Sequence, residues 1–255
     1  MNDVRTAGPA RANLSAGRLT AYGFSVEANI GHNPMRYLLA RRFTAGPGKG
    51  DAVTALFVLR PDVLLGTYVW IVEDPAAGSC SVRTYLPTMK EPILVMERLH
   101  FDCLPLTEVG YLDLMAWPHP SLNRVGHDTD PCLSVAHEVA KPDRAARLRR
   151  YRGPASVPGL HVTDVIAEEH EMVVARVIHR DARQVRRWEI VELGAAFQDK
   201  LPRRIRVSRP ETGHRTDFLR TSDAIPIPEA AFEGSPEELC EAIVRRLRRE
   251  SVDLG

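Results

Sequence analysis

The side chains best suited to holding a metal crowd into one stretch of this chain: His119, His127, Asp128, Asp130, Cys132 and His137. A zinc site needs three or four such N, O or S donors converging at about 2.0–2.3 Å, and closely spaced pairs help to assemble it. Here the spacing is ragged and Pro118, Pro120 and Pro131 interrupt it. The stretch reads as a polar surface loop, and no metal or other cofactor is expected. The run Glu168-Glu169-His170-Glu171 could tune a general base toward neutral pH, but it lies between two strand-like segments and reads as a solvated turn. His100-Phe101-Asp102-Cys103 contains a base and a nucleophile, yet neighbours on an extended chain point to opposite faces. No G-x-S-x-G, Walker or H-E-x-x-H motif occurs. Ala45-Gly46-Pro47-Gly48-Lys49-Gly50 lacks the G-K-[ST] ending of a phosphate loop and reads as a turn.

The aromatic residues carry a different message. Tyr68 and Trp70 lie two apart on a strand-like segment and so share a face, while Tyr85, Tyr111, Trp117 and Trp188 fall in or beside other sheet segments. With Met96 they form a set able to line an apolar pocket, with tyrosine hydroxyls and indole N–H groups as its few polar handles. Arg176 interrupts the apolar run Met172–Ile178. It could bind a ligand carboxylate or enolate, or keep an edge strand soluble. Arg176 and Tyr85 are the candidate catalytic residues; Tyr68, Trp70, Met96, Tyr111, Trp117 and Trp188 are the candidate ligand-binding residues.

These residues need a sheet to hold them, and the pattern supplies one. Val53–Leu59, Thr67–Val72, Ser81–Leu86 and Ile93–Leu99 alternate with turns as a first antiparallel meander. A second runs through Met172–Ile178, the polar turn His179–Arg187, Trp188–Leu193, Ile205–Val207 and a strand near Thr216–Leu219. Pro34–Leu39 is expected as a short helix opening on proline, and residues 105–117 as another from their apolar spacing. Ser235-Pro236-Glu237-Glu238 announces a C-terminal helix over 236–250 with a capping box. Residues 1–16 read as a flexible leader and 17–255 as one domain.

The 255 residues carry a net charge of +1, so no broad basic field points to nucleic acid. No apolar run approaches the roughly 20 residues of a membrane span. The N-terminus lacks a secretory core, so a cytoplasmic location is expected, with the four scattered cysteines reduced.

Three segments resemble the bacterial lipoprotein-carrier superfamily of LolA- and LolB-like proteins and outer-membrane lipoprotein-sorting proteins. They are Phe57–Thr67, with its proline-containing turn and Gly-Thr step; Thr84–Lys90 followed by Tyr111-Leu112-Asp113-Leu114-Met115; and Leu201–Thr216 followed by Ile227–Phe232. The resemblance implies a mainly β (α+β) fold: a strongly curved antiparallel sheet or incomplete barrel, with helices plugging its concave side and acyl chains held between. It also implies a loosely seated helical lid.

A greasy pocket without catalytic motifs leaves two main functions. One is an enzyme that cyclises or rearranges a lipophilic, polyketide-like metabolite by confinement, which can supply roughly 7–11 kcal/mol in favourable cases. The other is a non-catalytic carrier or chaperone for a lipid or lipophilic metabolite. A third is a regulator that uses the basic C-terminal helix as a contact surface. The first is favoured, and the partner expected in either of the first two is a hydrophobic small molecule.

Overall fold

The structure, a computed structural model, describes residues 12–30, 33–104, 107–125, 146–167, 172–193 and 201–250. Strands β1 (Ala21–Ile30), β2 (Asn33–Phe43), β3 (Ala52–Arg60), β4 (Tyr68–Asp74), β5 (Ser79–Tyr85) and β6 (Ile93–Leu94) form one antiparallel meander. A second meander comprises β7 (Asn123–Val125), β8 (Ala146–Arg152), β9 (Leu160–Ala167), β10 (Met172–Arg180), β11 (Arg183–Leu193), β12 (Pro202–Arg209) and β13 (His214–Arg220). It returns to the start of the first, because β13 pairs with β1 through Val26 opposite Arg220 and Ala28 opposite Phe218. β14 (Ile225–Pro226) also pairs with β1. The two meanders thus make one open antiparallel sheet whose edges are β6 and β7.

That topology dictates the plug. The chain leaves the sheet at one edge and re-enters at the other, so the connecting residues must cross a face of the sheet. They contain a 3-10 turn at Glu97–Phe101 and the single-turn helix α1 (Tyr111–Leu114).

The same residues measure the curvature. From β4 to β10 the path runs through β3, β2, β1, β13, β12 and β11, which is seven strand steps, or roughly 33 Å across a flat sheet. Yet Glu73 on β4 accepts the backbone N–H of Ala116, while Arg176 on β10 donates to the carbonyl of Leu112. Four residues of chain span at most about 14 Å. The sheet must therefore curl strongly around the plug.

Side-chain alternation divides the core in two. Tyr37, Leu39, Arg41 and Phe43 of β2 face inward onto the plug, while Leu38 and Ala40 face outward. On the outer face they meet Ala55, Phe57 and the C-terminal helix α2 (Pro236–Arg249), whose Leu239, Ile243 and Leu247 are fully buried. The expected capping box is present: Ser235 Oγ accepts the Glu238 N–H, and the Glu238 carboxylate accepts the Ser235 N–H. Ser235→Ala is expected to lower stability by about 1 kcal/mol; a thermal melt unchanged within error would show that packing alone fixes the helix start.

Several elements differ from their sequence expectation. Pro34–Leu39 is strand, not helix, because Pro34 sits at the beginning of β2 opposite Asn29 and the following residues alternate between two apolar layers. The polar stretch His179–Arg187 is mostly ladder, with only Asp181 and Ala182 forming the turn. Its arginines find partners on both faces: Arg186 reaches inward to Asp113, and Arg187 pairs outward with Glu189. Of the expected Ile93–Leu99 strand, Ile93–Leu94 is strand and Val95 adds one bond to the Val82 carbonyl of β5; among the described residues of 105–117, only Tyr111–Leu114 is helical. Of the leader read over residues 1–16, residues 12–16 are described. Ala12, Leu14 and Ala16 are packed in the inner core, and Asn13 donates to the carbonyl of Asp113.

Candidate functional site

The plug is held by buried charges rather than by grease alone. Arg41, fully buried on β2, donates from Nε to Thr54 Oγ1 at 2.9 Å and from its terminal nitrogens to the carbonyls of Asn13 and Leu114. Glu73 receives the N–H groups of Ala116 and Trp117 at 2.8 and 2.9 Å, one on each carboxylate oxygen. Burial pushes this carboxyl up to about 7 against the pull of Arg41 and those two N–H groups. Arg176 forms a two-pronged ion pair with Asp164, its cross-strand neighbour, at 2.7 and 3.0 Å, and donates to the Leu112 carbonyl. Arg186 pairs with Asp113 at 3.3 Å.

All four groups act on residues 112–117, which supply several of the backbone atoms that so short a helix leaves without partners. Charge-assisted hydrogen bonds in a buried setting are the stronger kind. The lid is thus firmly clamped at this end, contrary to the loose seating expected of it. Gly110, which precedes α1, makes room for the clamp: a Cβ there would lie 2.0–2.2 Å from the Arg186 guanidinium. Gly110→Ala is therefore expected to displace Arg186 from Asp113 and destabilise the fold by about 1–3 kcal/mol, the cost of a buried polar group losing its partner. Urea titration of the variant tests this, and an unshifted midpoint would rule it out.

Beside the clamp, between sheet and plug, lies an apolar cavity of about 70 Å³. Phe24, Tyr37, Leu39, Trp188, Val207 and Phe218 form its sheet wall, and Leu104, Thr107, Val109, Asp113 and Leu114 its plug wall. A second space of about 30 Å³ adjoins it across the shared residues Tyr37, Leu56, Leu104 and Thr107. Few polar groups enter the larger space. The Asp113 carboxylate is occupied by Arg186 and the Gly110 N–H. The Tyr37 hydroxyl is buried with no hydrogen-bond partner, and burial raises its pKa.

The sequence-nominated residues scatter with respect to this cavity. Trp188 lines it. Tyr68, Trp70 and Tyr85 point their rings to the outer face, where Tyr68 stacks on Tyr85 at 5.5 Å and Trp70 tilts against Phe232 at 6.4 Å. Tyr68 also borders the smaller space. Tyr111 is buried beside His100, Trp117 donates from its indole to the Gly50 carbonyl, and Met96 is more than half exposed. Arg176 sits on an inner strand and not on an edge, with its guanidinium committed to Asp164 and the plug.

Tyr37, Leu39, Val207 and Phe218 were not singled out from the sequence. The signal for the first two was the alternation Tyr37, Leu39, Arg41, Phe43, which the helix reading of Pro34–Leu39 concealed. His127, Asp128, Asp130, Cys132, His137 and the run Glu168–Glu171 lie outside the described residues.

No family model matches the sequence, and no curated protein does. Solved structures do match. A DUF1329 family protein from Desulfovibrio piger ATCC 29098 superposes with a TM-score of 0.62 at 12% identity, over 84% of this chain and 90% of that one. A putative outer membrane lipoprotein-sorting protein domain from Vibrio parahaemolyticus gives 0.62 at 12%, over 83% and 88%. A LolA superfamily protein from Nitrosomonas europaea gives 0.56 at 11%, over 84% and 90%. The large open antiparallel sheet of this chain thus has a LolA-like fold.

Proposed function

We propose that this protein binds a lipophilic small molecule between the inner face of its sheet and the plug. The observation that carries the reading is the apolar cavity walled by Phe24, Tyr37, Leu39, Trp188, Val207 and Phe218, together with the buried hydroxyl of Tyr37, which has no hydrogen-bond partner. Sites for small molecules have this make-up: apolar walls with a few placed polar groups. At about 70 Å³ the space is well below the roughly 300–1,000 Å³ of a typical ligand pocket. A ligand therefore enters by parting the walls. The 112–117 end is pinned by four buried charges, whereas the plug wall around Leu104, Thr107 and Val109 is tied to the sheet beside it by the partly buried contacts of Glu108 with Thr216 and of Cys103 with Arg209, and is the part to yield.

Tyr37→Phe separates function from stability. A buried hydroxyl without a partner costs about 1–3 kcal/mol, so its removal leaves the free protein as stable or more so. If the hydroxyl is kept for a ligand, the same change weakens binding by roughly tenfold, the worth of one hydrogen bond. Loss of stability with unaltered binding would argue against the reading.

Conversion of the bound molecule, by cyclisation or rearrangement in a confined pose, is the second reading. The Tyr37 hydroxyl favours it, as a donor that could meet charge developing on a carbonyl. Metabolite profiles of the source organism with and without the gene distinguish the two. An isomer of the lost product, equal in mass and different in retention, marks conversion; altered amounts of unchanged structures mark carriage.

A further inference from the structure

A second constellation is made by residues that do not line the apolar cavity. Cys80 on β5, His100 in the 3-10 turn before α1, and His119 just after α1 bring one donor atom each within 4.8 Å of one another. Both histidines are almost fully buried and the cysteine is partly so. The three come from separate elements and converge only because the plug crosses the sheet.

Their hydrogen bonds fix how they are prepared. His100 Nε2–H donates to the Val95 carbonyl at 3.1 Å, which leaves its Nδ1 lone pair facing His119 Nε2 at 3.0 Å. An imidazole anchored through one nitrogen to a backbone carbonyl, with the other free, is the arrangement that orients metal-bound histidines. His119 Nδ1 accepts the Ser121 N–H at 3.2 Å. The surroundings are anionic: Glu73 is the cross-strand neighbour of Cys80, and the Glu97 carboxylate accepts the Ser121 hydroxyl and acts by its charge on all three groups.

We propose that Cys80, His100 and His119 form a binding site for a thiophilic d10 cation, Zn2+ in the first place, which clasps both flanks of the plug to β5. One thiolate and two imidazoles suit zinc and, through the soft sulfur, Cu(I). On binding, the thiol proton is released to solvent. The His119 proton shared with His100 moves to Nδ1, and the Ser121 N–H is given up. Two hydrogen bonds are thus exchanged for metal–ligand bonds, and the donors shift by up to about an ångström to reach bond lengths of about 2.0–2.3 Å.

The test is a Co2+ titration of the full chain after chelator treatment, read by absorption and followed by Zn2+ competition. One equivalent of Co2+ should give a thiolate-to-cobalt charge-transfer band in the near ultraviolet and intense visible bands of tetrahedral cobalt, both discharged by Zn2+. Cys80→Ser should abolish the near-ultraviolet band, and His119→Asn should weaken Zn2+ binding by more than about 100-fold, beyond what loss of an outer partner causes. Circular dichroism of both variants confirms the fold. Cys132→Ser, at a cysteine outside the described residues, should change neither readout. Absence of a charge-transfer band in the parent, its survival in Cys80→Ser, or its loss in Cys132→Ser would each overturn the assignment and leave the triad as a hydrogen-bonded wedge under the plug.

Discussion

Arg176→Leu destabilises the folded protein by about 3–5 kcal/mol, the penalty for stranding one member of a buried ion pair. The Arg176 and Asp164 side chains are only 6% and 2% exposed, so water cannot replace the lost partner. Asp164 would lose both of its guanidinium bonds, and the Leu112 carbonyl would lose its donor at the same moment. The penalty arises mainly from the stranded carboxylate. Arg176→Leu combined with Asp164→Leu should therefore recover much of the stability, since well-packed apolar replacements of buried ion pairs are often neutral. Denaturant titration of the single and double variants reads this directly. A single-variant loss below about 1 kcal/mol would mean the pair behaves as a surface contact, which the geometry denies. The same guanidinium joins Asp164 on β9 to the Leu112 carbonyl of α1, so the change also frees that helix.

Trp188→Ala and Val207→Phe push the cavity in opposite directions. Both residues line it, and Val207 is completely buried. Removing the indole leaves a larger hole and costs about 3–5 kcal/mol, as large-to-small changes in a packed core do. Adding a ring at 207 fills space that already exists, so its cost should stay near or below the roughly 1–3 kcal/mol of overpacking. Ligand binding should follow the volume and not the stability. Val207→Phe, the milder of the two for folding, should reduce affinity by more than about tenfold, or 1.4 kcal/mol. Trp188→Ala should retain binding of a bulkier ligand wherever enough folded protein survives. Affinities that track stability in both variants would mean that the walls contribute only to folding.

How much of this was legible in the sequence depends on which physical signal each part leaves. The strands announced themselves through alternation, and the C-terminal helix through Ser235, Pro236 and Glu238 at cap spacing. Curvature and the plug were expected only through the resemblance carried by Phe57–Thr67, Thr84–Lys90 and Leu201–Thr216, and not through periodicity, because they follow from β13 pairing with β1 across more than 180 residues of chain. The site residues fared unevenly for the same reason. Trp188 falls on the inner face by the parity of β11, whereas Tyr68, Trp70 and Tyr85 share the opposite parity on β4 and β5 and pack around Phe57 and Phe232. Parity groups residues within a strand; it does not say which face carries the plug. Arg176 looked like a misplaced charge because its partner Asp164 lies on the neighbouring strand. The histidine that mattered in the polar loop, His119, gains its meaning from Cys80 and His100, which precede it by 39 and 19 positions.

The most direct test of a lipophilic ligand in the inner cavity is a titration of the purified protein with an environment-sensitive fluorescent fatty acid, run in parallel on Val207→Phe. The parent should show a saturable, stoichiometric rise in fluorescence that non-fluorescent fatty acid reverses, and the variant, equally folded by circular dichroism, should show little of it. Non-saturating fluorescence in the parent, or equal binding by both proteins, would contradict a ligand site between the sheet and the plug.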